Sequence, residues 1–187
     1  MSLADVIYNA LTGQSGAARP SFGDAIRDVV QERTSRGISR RQLARETGIP
    51  ESTLRRWEKG QRPERKSGAA AGYAEQRYEQ LIGAHRHLIA VPSMMDRWRA
   101  NDMRFTLTNF PEHGRTTTRT VSGDKLDLSP GTGDRIVAAF LRGDDGAAAR
   151  ALVAGIRDPF YEQVFDEWVD DPDIHEVHDS DYSVGVS

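Results

Sequence analysis

The segment from Arg40 to Lys59 constrains the fold more than any other part of the sequence. It predicts two short helices joined by a sharp corner. Glycine adopts a positive φ without a steric penalty, so Gly48 suits the corner. Ala44 supplies a small side chain on the inner side of the first helix, where the second helix must pack closely. Apolar residues stand at the positions that would hold the two helices together: Leu43, Ile49, Leu54 and Trp57. We therefore predict a helix-turn-helix.

The positions left over by this apolar pattern are polar and mostly basic. Residues 33–66 contain 11 Lys/Arg against 4 Asp/Glu. The pattern resembles the Cro/phage-repressor class of DNA-binding domains. This resemblance implies that the helix after the corner lies in the major groove of DNA, with its first residues at the base edges.

Individual contacts follow from that orientation. Arg55 is predicted to make a bidentate hydrogen-bond pair with guanine, worth about 1–3 kcal/mol of discrimination. Glu51 indicates either a contact to cytosine or a structural charge at the helix start. Basic residues before and after this helix are expected to contact phosphates. The full predicted interface is Arg40, Arg41, Gln42, Glu51, Ser52, Thr53, Arg55, Arg56, Lys59, Arg62, Arg65 and Lys66. The alternative is that these arginines only solvate a helical surface.

Charge is divided unevenly along the chain, although the net formal charge is only −3. Residues 1–66 carry 13 Lys/Arg against 8 Asp/Glu, whereas residues 120–187 carry 5 against 15. Such asymmetry predicts a nucleic-acid partner for the basic part. Phosphate would repel the acidic part, which we expect to face away from DNA or toward a basic protein. Solubility alone is the other explanation for the acidic part.

The apolar spacing is helical in the first half of the chain and changes near Met103. Helix starts are predicted at Ser21, with Asp24 three residues later, and at Ser39, with Gln42 three residues later. Beyond residue 103 we predict a strand in MRFTLTNF, a hairpin around residues 121–124, two helices and a weakly alternating tail.

The predicted fold class is α+β. An all-α helix-turn-helix domain is followed by a small α+β domain with an antiparallel hairpin and two to three helices. The predicted segments are an N-terminal extension (1–20), the helix-turn-helix domain (21–66), a linker and helical connection (67–102) and an acidic α+β domain (103–187).

Several functional classes find no support in the sequence. The absence of cysteine excludes disulfides and thiolate metal sites. There is neither an apolar run of membrane-spanning length nor a secretory signal, so we expect a cytoplasmic, nucleoid-associated protein that binds no membrane. We expect no metal and no cofactor, because the histidines lack ligand spacing and no Walker loop or Gly-x-Ser-x-Gly is present. We also expect no enzyme activity.

Three stretches outside the corner resemble the terminal proteins of linear actinobacterial chromosomes and plasmids. They are ARPSFGDAIRDVVQE (18–32), RFTLTNFP (104–111) and the long block KLDLSPGTGDRIVAAFLRGDDGAAARALVAGIRDPFYEQVF (125–165). The resemblance implies binding to the telomeric end of a linear replicon, together with a telomere-associated protein. It also implies protein priming, in which a hydroxyl accepts the first nucleotide from a DNA polymerase and the protein stays covalently on the 5′ end. Such a protein is a primer consumed once.

The family's acceptor is a threonine that follows the Arg-Phe stretch. The corresponding window contains Thr116, Thr117, Thr118 and Thr120, with Arg115 and Arg119 beside them. Thr118 is our first choice. Threonines at alternating positions are also ordinary strand residues. Two alternatives remain: a repressor or copy-number regulator that binds an operator, with the acidic part used for dimerisation or effector sensing, and a replication accessory that recruits a partner without covalent chemistry.

Overall fold

A computed structural model describes residues 3–14, 20–61, 69–112, 115–170 and 177–178. The chain divides into two compact units. One comprises Ala18–Ile89 with Leu141–Gly143, and the other comprises Met1–Ala17, Ala90–Phe140 and Asp144–Ser187. The elements in chain order are α1 (Leu3–Thr12), α2 (Phe22–Ser35), α3 (Arg40–Thr47), α4 (Glu51–Glu58), α5 (Ala69–Ile89), α6 (Pro92–Arg99), β1 (Arg104–Glu112), β2 (Arg115–Ser122), α7 (Thr132–Leu141), α8 (Asp145–Val153), α9 (Pro159–Asp170) and β3 (Val177–His178). This arrangement is the predicted α+β class.

Local sequence signals explain where several helices begin. Ser21 caps α2 in a capping box with Asp24, as predicted. The Oγ of Ser39 accepts a hydrogen bond of 3.1 Å from the backbone N–H of Gln42 at the start of α3. Asp144 caps α8 by accepting a 2.8 Å bond from the N–H of Ala147. In each case the side chain satisfies a backbone donor that the first helical turn leaves unpaired.

Prolines mark three further helix starts. Pro50 is the residue just before α4, and Pro92 opens α6. Pro159 begins α9. Proline suits these positions because the first turn of a helix does not use its missing N–H.

The unit that contains α2 to α5 has a continuous apolar core. Its members are Phe22, Ile26, Val29, Val30, Leu43, Ile49, Leu54, Trp57 and Leu81. The rings of Phe22 and Trp57 meet edge to face at 6.1 Å, which joins α2 to α4. Fully burying a side chain of leucine size contributes about 1.5–3 kcal/mol, so this core fixes the position of α4.

The other unit packs helices around a small sheet. The strand order among the described residues is β2-β1-β3, and both pairings are antiparallel. Phe105 of β1 lies edge to face between Trp98 and Phe165, at 5.8 and 5.4 Å. Helix α1 packs against α8 and is largely buried, although it falls in the predicted N-terminal extension. None of the helices in the described ranges is long and apolar enough to cross a membrane.

The predicted position of the hairpin was wrong. Strand β2 pairs with β1, from Arg104 opposite Ser122 to Glu112 opposite Arg115, and residues 123–127 form turns. Leu126 is fully buried and Leu128 forms an isolated bridge with Ile156. The alternation of these two leucines therefore reflects tertiary packing, and no second arm pairs with β2 in the described part of the chain.

Helix α5 begins near the start of the predicted linker and helical connection (67–102). It begins at Ala69, inside a stretch whose composition is typical of a linker. Alanine has the highest intrinsic helix propensity, so the run of alanines extends the helix toward its N-terminus.

Candidate nucleic-acid interface

Helix α4 has two chemically distinct faces. Leu54 and Trp57 point into the core and are 0% and 3% exposed. Outside that face, Glu51 and Thr53 are half-buried and the remaining predicted residues are exposed: Ser52, Arg55, Arg56 and Lys59. The structure therefore gathers five of these predicted DNA-binding residues on the part of α4 that the core leaves open, and the sixth, Lys59, is the residue that caps the end of the helix.

The start of α3 adds three predicted residues to the same unit. Arg41 and Gln42 are exposed, whereas Arg40 is half-buried. The Nε2 of Gln42 donates a 3.1 Å hydrogen bond to Glu46 on the next turn. These side chains stand at the N-terminus of a helix, where backbone N–H groups and the helix dipole favour a phosphate.

Glu58, at the end of α4, connects three helices. Its carboxylate accepts a 2.9 Å hydrogen bond from the Nη2 of Arg40 in α3. Its backbone carbonyl accepts a 2.7 Å bond from the Nη1 of Arg27 in α2. The Glu58 side chain is only 14% exposed, so this ion pair is screened less than a surface pair. Glu58 thus holds the end of α4 against both neighbours.

Sequence reasoning missed Arg27 and Glu58. The available signal was weak: an acidic residue directly after a core tryptophan in a basic run, and an arginine directly after a core isoleucine. Together with Arg40, Arg55 and Lys59, these two residues line a surface cleft of about 540 Å³. Four of the five lining residues are cationic, so the cleft suits an anion.

Gly23 permits the close approach of α2 to the end of α4. A Cβ at this position would lie 2.9 Å from the backbone nitrogen of Gly60 and 3.0 Å from the carbonyl oxygen of Glu58. Since both neighbours are backbone atoms, they cannot move aside cheaply. The first turn of α2 therefore needs glycine to reach the chain that follows α4.

The corner of the motif has the predicted geometry. Gly48 ends α3 in the left-handed region, at φ 62°. The guanidinium of Arg77 in α5 lies against it, and both of its terminal nitrogens occupy the space that an added Cβ would need. Thr47 Oγ1 accepts a 3.3 Å bond from the N–H of Ile49 across the corner. Local backbone conformation and a contact from α5 both define the turn between α3 and α4.

A second polar contact joins α2 to α5. The buried ring of His85 places its Nε2 3.2 Å from a carboxylate oxygen of Asp28. Burial lowers the pKa of His85 below its usual 6.5, although the Asp28 carboxylate acts in the opposite direction. No group of three or more His, Asp or Glu side chains suited to a metal ion occurs in the described ranges.

Other predicted residues lie apart from α4 or outside the described ranges. Arg62, Arg65 and Lys66 fall outside them. The threonine candidates Thr116, Thr117, Thr118 and Thr120 all lie in strand β2, which belongs to the other unit. Thr120 is exposed and stands opposite Thr106 of β1.

Comparison with known proteins supports the first of the two resemblances. Residues 30–65 match the model of a helix-turn-helix family (HTH_3), and this span includes α3, the corner and α4. The fold, the basic exposed face and this match define a DNA-binding helix-turn-helix domain. No curated protein and no solved structure matches the chain. The resemblance to terminal proteins gains no support from these comparisons.

Proposed function

We propose that the chain is a sequence-specific DNA-binding protein that inserts α4 into the major groove. The observation that carries this proposal is the division of α4 into a face buried through Leu54 and Trp57 and a basic face without a packing role. Arg55 and Ser52 would meet base edges near the start of the helix. Arg40, Arg41 and the cleft at Arg27 would meet phosphates and fix the register on the duplex.

The regulator hypothesis is favoured by the helix-turn-helix family match over residues 30–65. A repressor or copy-number regulator of this kind binds as a symmetric dimer to half-sites about one helical turn apart. Selection from a pool of randomised duplexes gives the preferred site, and the mass of the protein–DNA complex then gives the number of copies bound to it. An enriched palindrome bound by two copies supports a regulator, whereas a single asymmetric site argues against it.

Protein priming is the second candidate, and strand β2 is the feature that favours it. In the sheet of the described residues β2 is an edge strand, and it carries four threonines next to Arg115 and Arg119. A threonine Oγ would attack the α-phosphorus of a deoxynucleoside triphosphate. A phosphoester bond would form, pyrophosphate would leave, and the hydroxyl proton would pass to solvent. A DNA polymerase would supply the catalytic site, so the chain itself would not be an enzyme.

Nucleotide labelling separates priming from the alternatives. The protein would be incubated with a radioactive deoxynucleotide, a DNA polymerase and telomeric DNA, and then digested with nuclease. Label that persists, and that disappears when Thr116, Thr117 and Thr118 are all replaced by alanine, supports priming. Thr120→Ala tests the exposed fourth candidate. Specific DNA binding with no label under any condition supports a regulator or a non-covalent replication accessory.

A further inference from the structure

Two oppositely charged side chains are paired on the exposed part of α4. The Nη2 of Arg55 donates a hydrogen bond of 2.7 Å to the Oε1 of Glu51, one turn earlier. The side chains are 64% and 36% exposed, and neither belongs to the core that Leu54 and Trp57 enter. The pair therefore lies on the surface that the proposed function directs toward the bases.

We infer that Glu51 and Arg55 act as one composite reader of a guanine and a nearby cytosine. The inference rests on the proposed function and specifies the bases recognised at that site. Arginine has five N–H donors in a fixed planar fork, and the bond to Glu51 uses one of them. The remaining edge of the fork can donate to the O6 and N7 of guanine.

The carboxylate supplies the complementary half of the reader. Glu51 has a second oxygen and further lone pairs beyond the one that Arg55 occupies. Cytosine presents the N4 amino group in the major groove, which is the donor that Glu or Asp accepts from. Thymine O4 and guanine O6 are acceptors, so a carboxylate repels them and discriminates against both.

The dimensions of the helix limit how far apart the two bases stand. Four residues of α-helix rise about 6 Å, whereas successive base pairs are about 3.4 Å apart. The two side chains also meet each other, so their tips span less than this rise. The guanine and the cytosine therefore lie in the same base pair or within two steps.

Pairing in the free protein also restrains Arg55 before it meets DNA. An arginine restrained by such a pair has already lost part of its rotamer freedom, which lowers the entropic cost of binding. An exposed pair at i and i+4 adds little to helix stability, so removing it should scarcely change the melting temperature. A purely structural pair predicts no change in base preference, and this difference makes the two roles separable.

The test compares base preference in matched variants. Wild type, Glu51→Gln, Arg55→Lys and Arg55→Ala would each be selected against randomised duplexes and then titrated by fluorescence anisotropy. Glu79→Gln removes one acidic charge from the exposed surface of α5 and serves as the control. Thermal melts establish that each variant is folded.

The inference predicts a distinct result for each variant. Wild type should prefer guanine at one position by about 5- to 150-fold, and 7-deazaguanine there should remove the preference. Arg55→Lys keeps the charge but should lose most of this preference. Glu51→Gln should lose the cytosine preference while binding random DNA about 2- to 5-fold more tightly, because repulsion of phosphate is gone. Glu79→Gln should keep both preferences.

Two negative outcomes have different meanings. Unchanged preferences at every position in Glu51→Gln and Arg55→Ala, with wild type still selecting a site, would overturn the composite reader and leave the DNA-binding proposal intact. Wild type that selects no site at all would overturn the proposed function, and the reader with it.

Discussion

The Nη2 of Arg40, at the first residue of α3, lies 2.9 Å from the Oε1 of Glu58, at the last residue of α4. The ends of the two motif helices are thus joined at the side opposite the corner at Gly48. The corner and this ion pair together restrain the angle between the helices. The Nε of Arg40 is buried without a hydrogen-bond partner among the described residues, whereas its Nη2 donates to Glu58.

Replacing Glu58 with alanine is expected to destabilise the helix-turn-helix unit by about 1–3 kcal/mol, because a half-buried guanidinium loses its partner. The magnitude should fall toward the lower end, since the Arg40 side chain is 39% exposed. Urea denaturation followed by circular dichroism measures the destabilisation. Glu79→Ala removes an exposed carboxylate from the same unit and should leave the midpoint in place. Equal midpoints for the two variants would mean that the Glu58 pair contributes nothing.

Gly48→Ala should destabilise the same unit for two reasons. A left-handed φ costs a non-glycine residue about 1–2 kcal/mol. The new Cβ would also displace the Arg77 guanidinium, which is the end of a flexible side chain and therefore adds a smaller cost. Gly37 has φ 82° with no atom within 4 Å of an added Cβ, so Gly37→Ala isolates the backbone cost. Thermal melts should give a lower melting temperature for Gly48→Ala than for Gly37→Ala. The reverse order would exclude a role for the Arg77 side chain at the corner.

Replacing both Arg55 and Arg56 with alanine is expected to abolish specific DNA binding, because both side chains are exposed on α4 and neither supports the core. Circular dichroism should show unchanged helix content. Competition between the selected site and random duplex measures the specificity ratio. A double variant that retains this ratio would show that the face of α4 with Arg55 and Arg56 does not read the DNA sequence.

Arg65 and Lys66 are predicted to bind phosphates only. Their replacement by alanine should weaken binding to every duplex about equally. The slope of log K against log salt should fall in magnitude by about 0.9 for each phosphate that the variant no longer neutralises. Titrations at several salt concentrations give this slope directly. A change in base preference would instead indicate that these residues read sequence.

The stability of this unit should depend on pH through His85. Burial lowers the pKa of His85 in the folded state below 6.5, so the unfolded chain binds the proton more tightly. The contribution of neutral His85 to the free energy of unfolding is therefore fully present above pH 6.5, and it is lost as the pH drops from 6.5 toward the folded pKa. Urea midpoints measured across this range should show the decline in wild type and a flatter profile in His85→Gln.

Two further variants make the assignment specific. His87 is exposed on the same helix, so His87→Gln should keep the wild-type profile. Asp28→Asn should extend the decline to lower pH, because the Asp28 carboxylate raises the pKa of His85. If the decline disappeared in His87→Gln and persisted in His85→Gln, the role of the buried ring would be contradicted.

The parts of the fold that sequence reasoning predicted are those fixed by neighbouring residues. The caps at Ser21 and Ser39 and the corner at Gly48 depend on backbone groups within a few positions, so their residue types reveal them. Leu54 and Trp57 were placed in the core by their spacing, which in turn identified the exposed face of α4.

Interactions between distant segments were not predictable in this way. Arg27 donates a hydrogen bond to the backbone carbonyl of Glu58, 31 positions away, and no local sequence pattern predicts that contact. The need for glycine at position 23 comes from its close contact with the backbone near Gly60, and that contact cannot be read from the residues around Gly23. The strand partner of β2 was misassigned for the same reason, since Leu126 and Leu128 alternate like a strand but pack in other ways.

The division of α4 into an inner and an outer side has a practical consequence for engineering. Leu54 and Trp57 secure the helix, whereas Ser52, Arg55 and Arg56 contribute nothing to the core. The outer residues can therefore be exchanged as a cassette without redesign of the interior, and under the proposed function such an exchange would change the target sequence.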